Sequence, residues 1–233
     1  MTVPVKAIFF DVGNTLLFPT WSKMLAALHR RKIAPAPELL QSIECRTKHE
    51  FDAILQRGGA VDQGFWYIFY SHLLDSLSIQ DDALRDQLVD ATRISADWSQ
   101  IRPGTREILL RLGRQYRLGV ISNADGKIAG VLEHCGIADC FQTIVDSGIV
   151  GSEKPHPAIF EAALQQMGSS PAGSLYVGDI YSVDYLGATA AGMGAVLMDI
   201  CGAYREKNWP RVEALEELES KLKIGQFPSS VPA

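Results

Sequence analysis

Hydrophobic positions along this chain follow two rhythms, and the switch between them divides it. Near the start, Ala7-Ile8-Phe9-Phe10 follows Val3 and Val5 as a short apolar run, ends in Asp11, and is broken by Gly13 and Asn14. A run of this length, rich in Ile and Phe and closed by turn formers, predicts a buried strand. From residue 18 to about 101 the spacing becomes helical. Trp21, Met24, Leu25 and Leu28 predict a helix over 21–32, interrupted by Ala34-Pro35-Ala36-Pro37. Leu39, Leu40, Ile43, Phe51 and Ile54 predict a second over 38–56, closed by Gly58-Gly59. The aromatic stretch 65–77 predicts a third, and Asp81-Asp82 caps a fourth that runs to about residue 96. Four helices with short joints and no strand between them make a bundle-like module.

Arg102-Pro103-Gly104 marks the return to a different pattern. Helices predicted over 105–116, 127–135, 157–167 and 185–191 alternate with strands at 117–123, 141–145, 174–179 and 195–198. Gly136, Gly168 and Gly192 close three of those helices. Between 210 and 222 a short extended piece leads into a last amphipathic helix, with Trp209-Pro210 as the turn before it. Alternation of this kind predicts an α/β fold, a Rossmann-like, doubly wound parallel sheet. The helical module is then an insertion. The core comprises 1–17 and 102–233, and the inserted four-helix-type domain comprises 18–101.

Composition narrows the function classes. The chain has 233 residues, 47% of them apolar, and 27 acidic against 22 basic residues give a net charge of −5. That is an ordinary globular balance with no basic surplus for nucleic acid. The first residues are neither basic nor followed by a long apolar run, so no leader and no membrane span are expected. Cys45, Cys135, Cys140 and Cys201 have neither metal-ligand nor disulfide-framework spacing, which sets a reduced, cytoplasmic environment as the expectation. The Pro- and Ser-containing end after Ile224 is expected to fray.

Three predicted strands end in chemistry-bearing residues: Asp11, Ser122-Asn123 and Asp179, with Lys154 and Asp184 on loops between elements. Right-handed crossovers bring the carboxyl ends of parallel strands to one edge, where ligands bind in open α/β sheets. A cluster of carboxylates there is costly unless it binds something, and a hard cation is the economical partner. Mg²⁺ takes a few carboxylate and carbonyl oxygens plus waters and substrate phosphate. A lysine beside it offsets charge on a transferred group.

Taken in order, Asp11 through Leu16, Ser122-Asn123, Lys154 in Glu153-Lys154-Pro155, and Gly178-Asp179 with Asp184 resemble the four motifs of the haloacid dehalogenase (HAD) superfamily, in the branch with an inserted helical cap. The resemblance runs from Lys6 to about Gly194. It implies a hydrolase in which Asp11 attacks phosphorus and forms an aspartyl-phosphate that water later cleaves. It further implies that Ser122 and Asn123, with Asn14 and Thr15, bind phosphoryl oxygens, and that Lys154 stabilises charge there and orients Asp11. Asp11, the backbone carbonyl of Gly13 and Asp179 would hold Mg²⁺, with Asp184 as a direct or water-mediated support. The implied partner is a small phosphorylated metabolite.

One departure matters. Phosphatases of this superfamily carry a second aspartate, the general acid and base, where this chain has Gly13. General acid–base catalysis is worth about 10²–10⁴-fold in rate. Three readings follow. The first is a phosphohydrolase acting on a good leaving group, such as an acyl or aryl phosphate, or taking an acid from the cap, where His29, His49 and His72 are the histidines available. The second is cleavage of another bond. The superfamily's 2-haloacid dehalogenases also lack the second aspartate but use no metal; phosphonate cleavage uses a cap lysine, and Lys48 is a residue of that type. The third is a metal- and phosphate-binding regulatory module. The aromatic stretch 65–70 is expected mostly in the core of the cap, with part of it free to line a pocket. Cap closure would hinge at 18–20 and 100–104.

Overall fold

A computed structural model of the chain describes residues 3–58, 64–225 and 227. Strand β1 (Ala7–Phe10) and the two-residue β2 (Leu17–Phe18) lead into five helices: α1 (Trp21–Met24), α2 (Ala26–Arg30), α3 (Pro37–Gln56), α4 (Gly64–Ser76) and α5 (Asp82–Thr92). Strand β3 (Gln100–Ile101) and helix α6 (Thr105–Leu112) follow. Next come β4 (Arg117–Ser122), α7 (Ile128–His134), β5 (Thr143–Asp146), α8 (Ser147–Val150) and α9 (Pro157–Met167). The chain continues through β6 (Ser174–Gly178), α10 (Leu186–Ala190), β7 (Gly194–Met198), β8 (Arg211–Val212) and α11 (Leu215–Lys223).

The sheet is parallel throughout, with strand order β5-β4-β1-β6-β7-β8. Helices cover both of its faces. Successive strand residues point to opposite sides, so Ile8 and Phe10 pack with α6, α7 and α11, while Ala7 and Phe9 pack with α9 and α10. All four residues of β1 are fully buried, as a central parallel strand requires. The predicted α/β class holds.

Helices α1 to α5 bury a third core of their own, built from Leu25, Leu28, Leu40, Phe51, Phe69, Leu73, Leu88 and their neighbours. The aromatic stretch is mainly interior here: Phe65, Ile68, Phe69 and Tyr70 are all buried. The expected helix over 21–32 is instead two short ones meeting at Leu25, whose ψ of 14° leaves the helical range while its side chain enters that core. Asp81 caps α5 as expected, accepting from Leu84 N at 2.9 Å, but α5 stops at Thr92 rather than near residue 96. Gly58 takes the left-handed conformation beyond α3, with φ +73°; Gly59 lies outside the described residues, as does most of the stretch after Ile224.

Two details were not visible in the hydrophobic pattern. Next to the hinges expected at 18–20 and 100–104, residues 17–18 pair antiparallel with 100–101, and Thr20 N donates to Asp97 O at 2.8 Å, so the two chain crossings are bound side by side. The helix expected at 185–191 is preceded by a wide π-helical turn, Tyr181–Tyr185. Among the described residues no helix is long and apolar enough to cross a membrane.

Gly119 of β4 sits beside Phe9 of β1 in register. A Cβ there would lie 2.7 Å from the Phe9 ring and 2.9 Å from Met167 Cε, so the absence of a side chain leaves room for both to pack over β4. Gly119→Ala is therefore expected to lose about 1–3 kcal/mol of stability by overpacking, read as a lowered urea midpoint at unchanged slope. An unchanged midpoint would contradict the close approach.

Candidate active site

The expected site residues converge because β1 lies between β4 and β6, so all three strands deliver their carboxyl ends to one edge. Asp11, one residue past β1, is anchored through its backbone N–H to Val177 O at 2.8 Å. Ser122 ends β4, and Asp179 follows β6. Asp11, Ser122, Lys154, Asp179 and Asp184 are all buried.

Lys154 is the hub. Its Nζ donates to Asp11 Oδ1 at 2.6 Å, to Asp184 Oδ1 at 2.8 Å and to the Tyr176 hydroxyl at 2.8 Å. Asn123 fixes the loop that delivers it: its Oδ1 accepts from Lys154 N at 2.7 Å, and its Nδ2 donates to Lys154 O at 3.0 Å. The Asn123 side chain is thus engaged with the Lys154 backbone. Asp184 is equally engaged. Its Oδ1 accepts from Lys154 and from Tyr176 (3.1 Å), and its Oδ2 accepts from the backbone N–H groups of Asp179 (3.0 Å) and Ile180 (2.9 Å). The wide turn at 181–185 brings Asp184 back over β6. A Cβ on Gly178 would lie 2.4 Å from Asp184 Cγ, so only glycine leaves room for it.

Carboxylate oxygens of Asp11, Asp179 and Asp184 lie within 4.8 Å of one another. Three carboxylates that close, with an all-oxygen donor set, fit a hard divalent cation better than a transition metal. Asp179 Oδ2 is buried and faces the Lys48 ammonium at 2.9 Å, a contact without hydrogen-bond alignment. Burial pushes the Asp11 carboxyl up to about 6; Lys154 opposes this and Asp184 adds to it. Burial likewise pushes Asp179 up to about 7, with Lys48 opposing and Asp184 and Asp11 reinforcing. Burial also works against the Lys154 ammonium, but Asp11 and Asp184 outweigh it and hold the lysine above its ordinary value.

This edge forms the floor of a cavity of about 610 Å³, walled on the helical side by Phe51, Leu55, Phe65, Trp66 and Trp98. Asn14, in the left-handed conformation (φ 51°), lines it with Gly13, Ser122 and Asn123. Thr15, expected beside a phosphate, is buried and lines a separate pocket with Phe18, Arg102 and Met198. Gly13 faces the indole of Trp98, and a Cβ on Gly13 would lie 3.4 Å from that ring. His49 bonds Ala203 O and His72 pairs with Glu50 at 2.9 Å, so both are engaged elsewhere, and neither they nor His29 line the cavity.

Sequence reasoning missed several contributors, and it named Lys48 only as a cap lysine of the type phosphonate cleavage uses. Tyr176 reads as an ordinary strand residue, and its hydroxyl matters only because Asp184 folds back over it. Lys48 is fully buried, with Nζ 2.9 Å from both Asp179 Oδ2 and Glu44 Oε1. Asp52 accepts from Ser182 N at 2.9 Å and from the Tyr204 hydroxyl at 2.8 Å. A signal existed: Glu44, Lys48 and Asp52 recur at four-residue spacing, a charged stripe on an otherwise core-forming helix. Trp209, expected only at a turn, stacks on Tyr181 at 3.7 Å and so braces the turn that carries Asp184.

Comparison with known proteins agrees with this geometry. The family model for haloacid dehalogenase-like hydrolases matches residues 5–192. A glyceraldehyde 3-phosphate phosphatase of Methanothermobacter thermautotrophicus is 33% identical over 94% of this chain and 98% of its own. The pyrimidine 5'-nucleotidase YjjG of Escherichia coli is 30% identical over 92% of this chain and 96% of its own. Among solved structures, the magnesium-bound HAD-hydrolase YfnB of Bacillus subtilis superposes with a TM-score of 0.69 at 18% identity, covering 94% of this chain and 99% of that one. The chain belongs to the haloacid dehalogenase-like hydrolases, and is an enzyme of the hydrolase class.

The raised carboxyls set a pH dependence. Because Asp11 and Asp179 bind protons more tightly folded than unfolded, their contribution to stability is present below about pH 4 and lost as pH rises through about 6–7. A divalent cation needs the ionised forms. The rise in melting temperature on adding Mg²⁺ is therefore expected to be small near about pH 5 and to grow toward about pH 8. A shift of equal size at both would contradict carboxylates held partly protonated without metal.

Proposed function

We propose that this enzyme is a Mg²⁺-dependent phosphohydrolase acting on a small phosphorylated metabolite, with Asp11 as the nucleophile and helices α1 to α5, within 18–101, as a cap over the site. The observation that carries the reading is the buried contact between Lys154 Nζ and Asp11 Oδ1, 2.6 Å long, at the head of three converging carboxylates. An ammonium so placed favours the ionised carboxylate and fixes which oxygen remains free to attack.

Asp11, Asp179 and the Gly13 carbonyl would hold Mg²⁺, with Asp184 in support through its neighbours. The bound ion would supply charge stabilisation at the phosphoryl oxygens. An Asp11 oxygen attacks phosphorus in line, the bond to the leaving oxygen breaks, and the electron pair departs with that oxygen. Water then attacks the aspartyl-phosphate, inorganic phosphate leaves, and the Asp11 carboxylate is restored. Ser122 and Asn14 line the cavity where phosphoryl oxygens would lie, and Lys154 offsets their developing charge. Asn123 serves this step by holding the Lys154 backbone.

Gly13 offers no proton to the departing oxygen, and the Trp98 indole flanks the space a side chain would enter. The reaction is accordingly suited to leaving groups that need little protonation, such as acyl or aryl phosphates, and the aromatic cavity wall suits an organic group of that kind. The phosphonate alternative draws no support from Lys48: paired with two carboxylates and held protonated above its ordinary value by Asp179 and Glu44 against burial, it has no free amine to offer. A purely regulatory role has no use for a buried lysine aimed at a potential nucleophile.

Phosphate release from a panel of acyl, aryl and alkyl phosphates tests the reading. Turnover should require Mg²⁺, disappear in Asp11→Asn and fall steeply as the leaving group's pKa rises. Gly13→Asp should flatten that dependence and raise alkyl phosphate rates by about 10²–10⁴-fold. Chloride release from a 2-haloacid without Mg²⁺, and no phosphate release, would identify a dehalogenase instead.

A further inference from the structure

One face of α3 rests on the loops beyond β6 and β7 through a polar stripe. Cys45, Lys48, His49 and Asp52 share that face by their spacing of three, four and seven. Cys45 Sγ donates to Cys201 O at 2.9 Å, His49 bonds Ala203 O, and Asp52 accepts from Ser182 and from Tyr204. Each of these is a directed hydrogen bond.

Lys48 differs. It is fully buried, and its Nζ lies 2.9 Å from Asp179 Oδ2 and 2.9 Å from Glu44 Oε1, yet neither contact has hydrogen-bond alignment. A buried ammonium is costly to desolvate, and here two carboxylate oxygens stand in for the water it gave up. One of them, Asp179 Oδ2, belongs to a carboxylate that a divalent ion would need, and the ammonium occupies the approach to it. Glu44, with a side chain 20% exposed, is the second resting place within reach of the same ammonium.

We propose that Lys48 is a tethered cation: its ammonium, shared between Asp179 and Glu44, neutralises Asp179 in the metal-free protein, and an arriving divalent ion displaces it from Asp179 and leaves it on Glu44 alone. The inference rests on the metal site of the proposed function and goes beyond it by giving that site a competitor built into the cap. The displacement follows from Coulomb's law. Two cations drawn to one carboxylate in a poorly solvated site repel strongly, and the more highly charged ion, able to take oxygen ligands from Asp11 as well, holds the position. Lys48 remains charged throughout, since Glu44 receives it. The metal-free protein is thereby spared an unpaired Asp179, and α3 is seated on the core before metal arrives.

Calorimetric titration with Mg²⁺ at about pH 8, above the range in which Asp179 titrates, tests this on wild type, Lys48→Met and Glu44→Gln. Loss of the competitor should tighten binding in Lys48→Met by about tenfold or more. Loss of the resting place should weaken it in Glu44→Gln. Opposite signs are the signature, because general loosening of α3 would weaken both. Unchanged or weaker binding in Lys48→Met would overturn the proposal. Should Lys48→Met not fold, Glu44→Gln decides alone: unchanged or tighter binding there overturns it too. Binding in wild type with either of those results leaves the metal site standing and removes only the competitor, whereas no binding heat in any of the three removes the metal site and the competitor with it.

Discussion

The structure depends on one buried ammonium. Lys154 Nζ ties its own loop to two segments far from each other in sequence: Asp11 after β1, and the stretch that carries Tyr176 in β6 and Asp184 in the turn beyond it. Without it, Asp11 and Asp184 would face one another as unpaired buried charges, an arrangement that destabilises by several kcal/mol or forces protonation. Burial still outweighs the lysine and pushes Asp11 up to about 6. The clustered carboxylates of Asp11, Asp179 and Asp184 outnumber the ammonium groups of Lys154 and Lys48, which suits the site to binding a cation.

The scaffold makes that contact possible by a sequence of local necessities. Gly119 leaves room over β4 for the Phe9 ring and Met167, and Gly178 lets Asp184 fold onto β6. Asn123 uses its whole side-chain amide on the Lys154 backbone, and the Trp209 indole holds Tyr181 in the turn that supplies Asp184. None of these residues needs to touch a substrate. They hold groups distant in sequence in fixed positions, on which electrostatic preorganisation depends.

Much of this was legible in the sequence, for identifiable reasons. The strand–helix alternation after residue 102 gave the parallel sheet, and parallel order alone predicts that Asp11, Ser122 and Asp179 share an edge. Helix ends at Gly136, Gly168 and Gly192 were readable because each takes a positive φ, of 71°, 61° and 78°. What stayed hidden was contact across the two cores. The pairing of Lys48 with Asp179 spans two modules, and no local pattern fixes which face of α3 meets which loop. That Thr15 lines a different pocket from Asn14 was hidden for a related reason: adjacency to Asp11 in the chain says nothing about the side of the tight turn 12–17 on which a side chain emerges. The first predicted helix breaks at Leu25 within a run of good helix formers, where tertiary packing overrides propensity.

The central claim is that Asp11 becomes covalently phosphorylated. Reductive trapping with borohydride during turnover of an aryl or acyl phosphate, followed by peptide mass spectrometry, tests it most directly. The account predicts conversion of Asp11 to homoserine, dependent on both substrate and Mg²⁺ and absent after Lys154→Met. Turnover with Asp11 unmodified, or modification at Asp179 instead, would contradict it.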